Sequence, residues 1–358
     1  MYTAFVLMGY PGSGKTSFGK NFASTRHGSL YLSSDDLRIE LYGFRDQTHN
    51  EEVFSELYKR ATNHISKGKG DVIIDATNLS RKDRLHTIEA LSSLHIKGEA
   101  NLDLIMVVRP IMSIMKANKT RPEEARLPED VLINMLGRFQ MPSFNEGWDN
   151  IYFYYNHEHQ VSGYTRLYEL RDMAHDNPHH NETLKEHINK CIDLYYDEEF
   201  NTGANYGQEL PQYHDLGKFF VRRYNEEKGY HQYIGHSAVS AYIYLTTILF
   251  DKRHVDGVSL SVWQNLVSFK SLFKDLDKFR LFYMIYYHDL FYTFREDQIE
   301  NAVKSLRKPS KGIESNLTAI LEGFGAALDI FIILFFYNMA GDLRSFNRID
   351  RYRENKQL

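Results

Sequence analysis

Four short apolar runs, at residues 4–8, 30–32, 72–74 and 102–108, punctuate the first part of the chain. Between them, residues 15–24, 50–66, 80–93 and 112–120 carry apolar positions at helical spacing. In the second of these segments, Val53, Phe54, Leu57, Ala61 and Ile65 make one stripe. Strand and helix in alternation predict a parallel sheet flanked by helices, with its ligand at the carboxyl ends of the strands. After about residue 160 the pattern changes to long helix-like segments without clear strand signals. Two domains are expected: an α/β domain over 1–160 and an all-α domain over 170–350. The longest apolar stretch, residues 331–337 within 317–340, is flanked by Asp329 and Asn338 and preceded by Glu322. That pattern fits a buried helix rather than a membrane span.

Composition narrows the class. The chain of 358 residues is 42% hydrophobic, 25% charged and 14% aromatic, an ordinary soluble balance apart from the aromatics. Its net charge is −4, and neither half is strongly basic, which excludes a protein that coats duplex nucleic acid. A nucleic acid, if bound, is held by a local groove and by its end. The single cysteine, Cys191, leaves no internal disulfide and fits a reducing compartment. Met1 runs straight into the first strand with no leader pattern, so a cytoplasmic protein without membrane association is expected.

The first strand runs into Gly9-Tyr10-Pro11-Gly12-Ser13-Gly14-Lys15-Thr16. All fixed positions of a phosphate-binding loop are present, between a strand and a helix. Backbone N–H groups around Gly12, Ser13 and Gly14 and the helix N-terminus would cradle the phosphates of ATP or another nucleoside triphosphate. Lys15 would reach the β/γ-phosphates and Thr16 would hold Mg²⁺. Asp35-x-x-Arg38 follows the second strand, placing a proton acceptor and a phosphate-gripping guanidinium beside the loop. Asp75 ends the third strand, where it either supports the Mg²⁺ shell or caps the next helix. Lys116, Lys119, Arg121 and Arg126 make a basic segment with the look of a lid, with Arg126 either part of the lid or a surface residue.

Together with Ile74-Asp75-Ala76-Thr77-Asn78 and Asn118-x-x-Arg121, these motifs resemble the phage-type polynucleotide 5′-kinases over roughly residues 1–155. The resemblance implies that Lys15 and Thr16 handle ATP–Mg²⁺. It makes Asp35 the general base for a 5′-hydroxyl, Arg38 a contact to the acceptor's 3′-side phosphate, and Arg121 the lid arginine.

Nine of the sixteen histidines fall between residues 157 and 236, which points to metal chemistry. His187, His214-Asp215, His236, His288 and Asp342 form an ordered series, with Asp289 as a rival to the last. Imidazoles and carboxylates suit Mn, Fe, Co, Ni or Zn. A metal pair lowers the pKa of a bridging water and clamps a phosphoryl oxygen. The order His…His-Asp…His…His…Asp resembles the HD phosphohydrolase superfamily over roughly 170–345. The string Asp176-Asn177-Pro178-His179-His180 also resembles the HD domain of bacterial tRNA nucleotidyltransferases. The resemblance implies an all-helical fold, metal ligation by His187, His214, Asp215, His236, His288 and Asp342, and phosphate-charge stabilisation by Lys218.

A 5′-kinase joined to an HD phosphohydrolase suggests healing of broken RNA or DNA ends. One half would phosphorylate a 5′-hydroxyl, and the other would open a 2′,3′-cyclic phosphate, stopping at a monophosphate or continuing to the free diol. A separate RNA ligase is the natural recipient of such ends. Bacterial end-healing proteins combine the same modules in the reverse order. The Asp-x-Asp-Gly-Thr phosphatase motif found in phage enzymes is missing, so the HD half would stand in for it. Three alternatives stay open: a small-molecule or nucleoside kinase, an HD half that hydrolyses nucleotides, or one that only binds them and regulates the kinase.

Overall fold

The computed structural model describes residues 1–45, 47–156, 173–176, 182–195, 209–255 and 265–288. Two compact units emerge: Met1–Gln160 with Ile248–Lys274, and Val161–Thr247 with Asp275–Leu358.

In the first unit, β1 (Tyr2–Met8), β2 (Leu30–Ser33), β3 (Val72–Asp75), β4 (Ala100–Val108) and β5 (Asn150–Tyr155) form a parallel sheet in the order 2-3-1-4-5. The central strands are buried on both faces and so read as continuous apolar runs. Phe5, Leu7, Ile73, Ile105 and Val107 pack with Phe18 and Phe22 of α1 (Lys15–Ser24), forming a core cluster. The remaining helices are α2 (Ser34–Tyr42), α3 (Asn50–Ser66), α4 (Arg81–Ile96), α5 (Ile111–Lys119) and α6 (Glu129–Leu136). Tyr58 joins Val53, Leu57, Ala61 and Ile65 in the buried stripe of α3, while Phe54 stays half-buried.

Two strands depart from the sequence expectation. β5 alternates half-buried and buried residues along Asn-Ile-Tyr-Phe-Tyr-Tyr, a β pattern that ends just before residue 156. A further strand, Leu266–Ser268, pairs antiparallel with β5 and lies within the span that the sequence assigns to one helical domain.

Register decides where the chemistry falls. Leu7 pairs with Asp75, and Asp75 with Ser33, so the ends of β1, β3 and β2 lie in one row. The loop after β1, Asp75, and the start of α2 therefore share one edge of the sheet. Ser33 Oγ accepts the Asp36 N–H as the N-cap of α2, fixing where Asp35 leaves the strand.

Behind that edge lies a fully buried ion pair. Arg84 of α4 donates Nε and Nη2 to Glu146, both at 2.7 Å, and Nη1 to the carbonyls of Asn78, Leu79 and Gln140. Trp148 Nε1 also donates to Glu146. The pair pins the turn after β3, where Asn78 sits at φ 47 and donates to the Leu7 carbonyl. Removing one partner strands a buried charge, so Arg84→Met should destabilise this unit by roughly 3–5 kcal/mol. A lowered midpoint in chemical denaturation checks this, with Arg84→Lys giving a smaller loss because it keeps the charge without the fork.

The second unit contains α7 (Leu184–Tyr195), α8 (Glu209–Tyr213), α9 (Lys218–Val221), the residues of α10 (His236–Val255) up to Thr247, and α11 (Leu276–Tyr287). It is not purely helical: β6 (Arg223–Asn225) and β7 (Tyr230–Gln232) pair as an antiparallel hairpin, and Ala174 bridges Thr183. The hairpin strands are three residues each, too short for a periodicity signal. Asp342, Asp289 and the apolar stretch 317–340 lie outside the described residues. Among the described residues, no helix is long and apolar enough to cross a membrane.

Candidate functional site

The phosphate loop closes between β1 and α1. Gly14 has φ 91 as the N-cap of α1, and a Cβ there would stand 2.1 Å from Asn156 Nδ2. Gly9 has φ 151, with a Cβ position 2.6 Å from the Val107 carbonyl oxygen. Both positions therefore require glycine. Lys15 Nζ donates to the carbonyls of Gly9 (2.9 Å) and Tyr10 (3.0 Å), curling over the loop. Burial pulls the Lys15 ammonium below its usual pKa, Asp75 and Asp35 push it back up, and Arg121 adds to the drop. Lys15 thus feels the charge of all three. Ser13 Oγ is buried in the loop and makes no hydrogen bond among the described residues. An orphaned hydroxyl, a buried amine and a glycine-lined turn together fit a polyphosphate.

Thr16 Oγ1 donates to Asp75 Oδ2 at 2.8 Å, and Tyr31 OH donates to the same oxygen at 2.6 Å. Burial, followed by the Asp75 charge, raises the Tyr31 phenol pKa, so it stays a donor. Asp75 therefore bonds to Thr16 across the loop rather than capping a helix; Ser80 caps α4. Asp35 is half exposed at the start of α2, 3.2 Å from Arg38 Nη1. Arg38 is buried, held by Asp35, Gln47 and Asn50. It is a cation positioned beside Asp35 at the start of α2.

In the lid segment, Asn118 brackets Leu127 through both side-chain atoms, and Arg126 donates to the Arg121 carbonyl at 3.2 Å. Arg126 thus braces the backbone beneath Arg121. Sequence reasoning missed two supports: Arg109 donates to the Gly12 carbonyl and Asn156 to the Ser13 carbonyl. Each directly follows a strand, β4 and β5, and that position was the available signal.

The second unit brings four histidines from four segments around Asp215, five residues in all. His187 Nε2 and His214 Nε2 stand 3.2 and 3.3 Å from Asp215 Oδ2, and 3.2 Å from each other. His236 Nε2 and His288 Nε2 stand 3.1 and 3.3 Å from Asp215 Oδ1, and 3.1 Å from each other. All five are buried or nearly so. Three of the rings share one device: Nδ1 of His214, His236 and His288 faces the carbonyl three residues earlier, of Pro211, Tyr233 and Ile285, at 2.7–2.8 Å. His187 Nδ1 faces Glu182 at 3.4 Å. With Nδ1 as the donor, every Nε2 turns its lone pair inward, the arrangement of metal-ligating imidazoles. Asp215 is buried, and each of its carboxylate oxygens faces two imidazole nitrogens. Converging nitrogens with a carboxylate between them fit a pair of divalent cations better than a solvent-free cluster of like groups.

Without metal, protons take the cations' place. Burial opposes charge on His187, but Cys191 and Asp215 outweigh it and raise its pKa to about 9. His214 is likewise raised by Asp215 and Cys191 against burial. Burial would push the Asp215 carboxyl up, yet Lys218 and His214 hold it well below the usual range. Lys218 Nζ is 2.7 Å from Asp215 Oδ2, so Lys218 secures the central carboxylate. Cys191 was absent from the sequence expectation, although it lies one turn after His187 on α7. Burial raises its thiol pKa, but His187 and His214 bring it down to about 7.

Residues 5–142 match the family described as an AAA domain. The first unit carries a P-loop kinase-type α/β domain. Domains of this type bind ATP with Mg²⁺. No curated protein matches the chain. Similar solved structures include Kti12 of Chaetomium thermophilum in complex with ADP-AlF3, with 16% identity, 45% of this chain, 94% of that chain and a TM-score of 0.34. A gluconokinase from Sinorhizobium meliloti 1021 gives 18%, 46%, 93% and 0.31, and a sugar kinase from Janibacter sp. HTCC2649 gives 16%, 46%, 92% and 0.34. Likeness at this level does not bear on substrate.

Proposed function

We propose that the protein heals nucleic-acid ends with two chemistries, an ATP-dependent 5′-hydroxyl kinase and an HD-type phosphohydrolase acting on 2′,3′-cyclic phosphate. The observation that carries it is Asp215, with two imidazoles on one oxygen and two on the other, in a chain that also holds a P-loop kinase-type domain.

In the kinase half, backbone N–H groups of the loop and Lys15 bind the triphosphate. Thr16 and Asp75 would hold Mg²⁺. Asp35 takes the proton from the acceptor hydroxyl, and Arg38 fixes the Asp35 carboxylate at 3.2 Å. Arg121, braced by Arg126, neutralises charge on the transferring phosphoryl group. In the HD half, His187, His214 and Asp215 would hold one cation and Asp215, His236 and His288 the other. A divalent pair there supplies phosphoryl-charge stabilisation and an activated water. Lys218 keeps Asp215 ionised and oriented. Asp342 remains a proposed further ligand.

Arg38 separates this reading from a small-molecule kinase. Arg38→Ala should lower 5′-phosphorylation of oligonucleotides by about 10²-fold, through misplacement of the base. The loss should be greater on an acceptor bearing a 3′-side phosphate than on a nucleoside, because the proposed contact of the Arg38 guanidinium with that phosphate is lost as well. Steady-state rates on both acceptors check this, and full activity of the variant on oligonucleotides counts against the end-healing reading.

A further inference from the structure

We infer that Cys191 is a ligand at the His187–His214 end of the cluster, so that the two ends of the metal centre differ in donor chemistry. The inference rests on the metal-centre reading above and goes beyond it, because the resemblance to HD phosphohydrolases supplied only nitrogen and oxygen donors. His187 and Cys191 are four residues apart on α7, hence on one helical face. Cys191 Sγ lies 3.6 Å from His187 Nε2. The ligand atoms of His187, Cys191 and His214 all fall within 4.8 Å of one another, as do those of Asp215, His236 and His288. The side chain is buried, and its sulfur meets imidazole nitrogens where a packing cysteine would meet apolar atoms.

A thiolate softens one end. Sulfur with two imidazoles and a carboxylate oxygen favours Zn²⁺, Fe²⁺ or Co²⁺, whereas the all-nitrogen-and-oxygen end accepts harder ions such as Mn²⁺. On binding, a sulfur–metal bond forms and the thiol proton leaves to solvent. The centre then takes two different metals in preference to two alike, and a peroxide, whose O–O bond breaks as one oxygen passes to the thiolate sulfur to give sulfenic acid and hydroxide leaves, removes a ligand from one end only.

The test uses the metal-free full-length protein titrated with Co²⁺ alone and followed by absorption. Cys191 is the chain's only cysteine, so any thiolate-to-cobalt charge-transfer band in the near ultraviolet belongs to it. The expected wild-type spectrum shows that band with visible ligand-field bands, saturating together at the first equivalent. Cys191→Ser should lose the near-ultraviolet band, keep ligand-field bands, and bind the first equivalent at least about tenfold more weakly. Ligand-field bands without charge transfer in the wild-type protein overturn the role of Cys191 while leaving the metal centre standing. Failure of the wild-type protein to bind Co²⁺ at all overturns the metal-centre reading and this inference with it. The wild-type spectrum decides the matter even if the variant folds poorly.

Discussion

Replacing His214 with alanine should abolish opening of a 2′,3′-cyclic phosphate and leave 5′-phosphorylation at the wild-type rate. His214 Nε2 is 3.3 Å from Asp215 Oδ2 and 3.2 Å from His187 Nε2, so its removal opens one end of the cluster. The loss should exceed the roughly 10–100-fold that follows removal of a hydrogen-bond partner around a metal ligand. Metal content by elemental analysis should fall with the activity, and retained kinase activity reports that the chain is folded. The same cluster sets a pH dependence. His187 is raised to about 9, so in the metal-free protein its protonation contributes stability fully present below about 6.5 and lost as pH rises through about 9. Metal binding must displace those protons, so metal affinity has the opposite slope, rising with pH across that window. Affinity for Mn²⁺ measured at several pH values should show this, and proton release on binding should be visible in buffers of different ionisation enthalpy.

Lys15→Ala should have the mirror effect, cutting 5′-phosphorylation by at least about 10²–10³-fold while sparing the hydrolase. Lys15 is the one ammonium inside the glycine loop, 2.9 and 3.0 Å from two loop carbonyls. It is 8% exposed, so its charge is poorly screened by solvent. Lys15→Arg should not rescue, since the planar guanidinium needs more room than the buried site offers. Rates at saturating ATP and the apparent affinity for ATP, measured together, separate lost binding from lost phosphoryl-charge stabilisation.

The kinase half was legible because its signals are local. A strand, a glycine turn and a helix are adjacent in sequence, and the residues after β2 and β3 inherit their place from parallel register. What sequence missed there comes from afar: Asn156 and Arg109 reach the loop from later strand ends, and Leu266–Ser268 joins the sheet more than a hundred residues after β5. The basic character of Arg38 was visible, but its burial against Gln47 and Asn50 was not, because those partners lie beyond the end of α2. In the second unit, the ordered histidines were visible as a series. Their sharing of the two Asp215 oxygens, two by two, depends on how the helices pack. Cys191 carries no signal of its own in the sequence, since a single cysteine has no ligand spacing until the helix places it one turn after His187.

The most direct test of the end-healing account is one incubation of the protein with ATP, Mg²⁺ and Mn²⁺. The substrate is a short RNA bearing a 5′-hydroxyl and a 2′,3′-cyclic phosphate, and both ends are followed by mass spectrometry. The account predicts a phosphate gained at the 5′ end together with opening or loss of the cyclic phosphate. An RNA unchanged at both ends, under conditions in which the protein hydrolyses or transfers phosphate from ATP to a small hydroxyl compound, would contradict it.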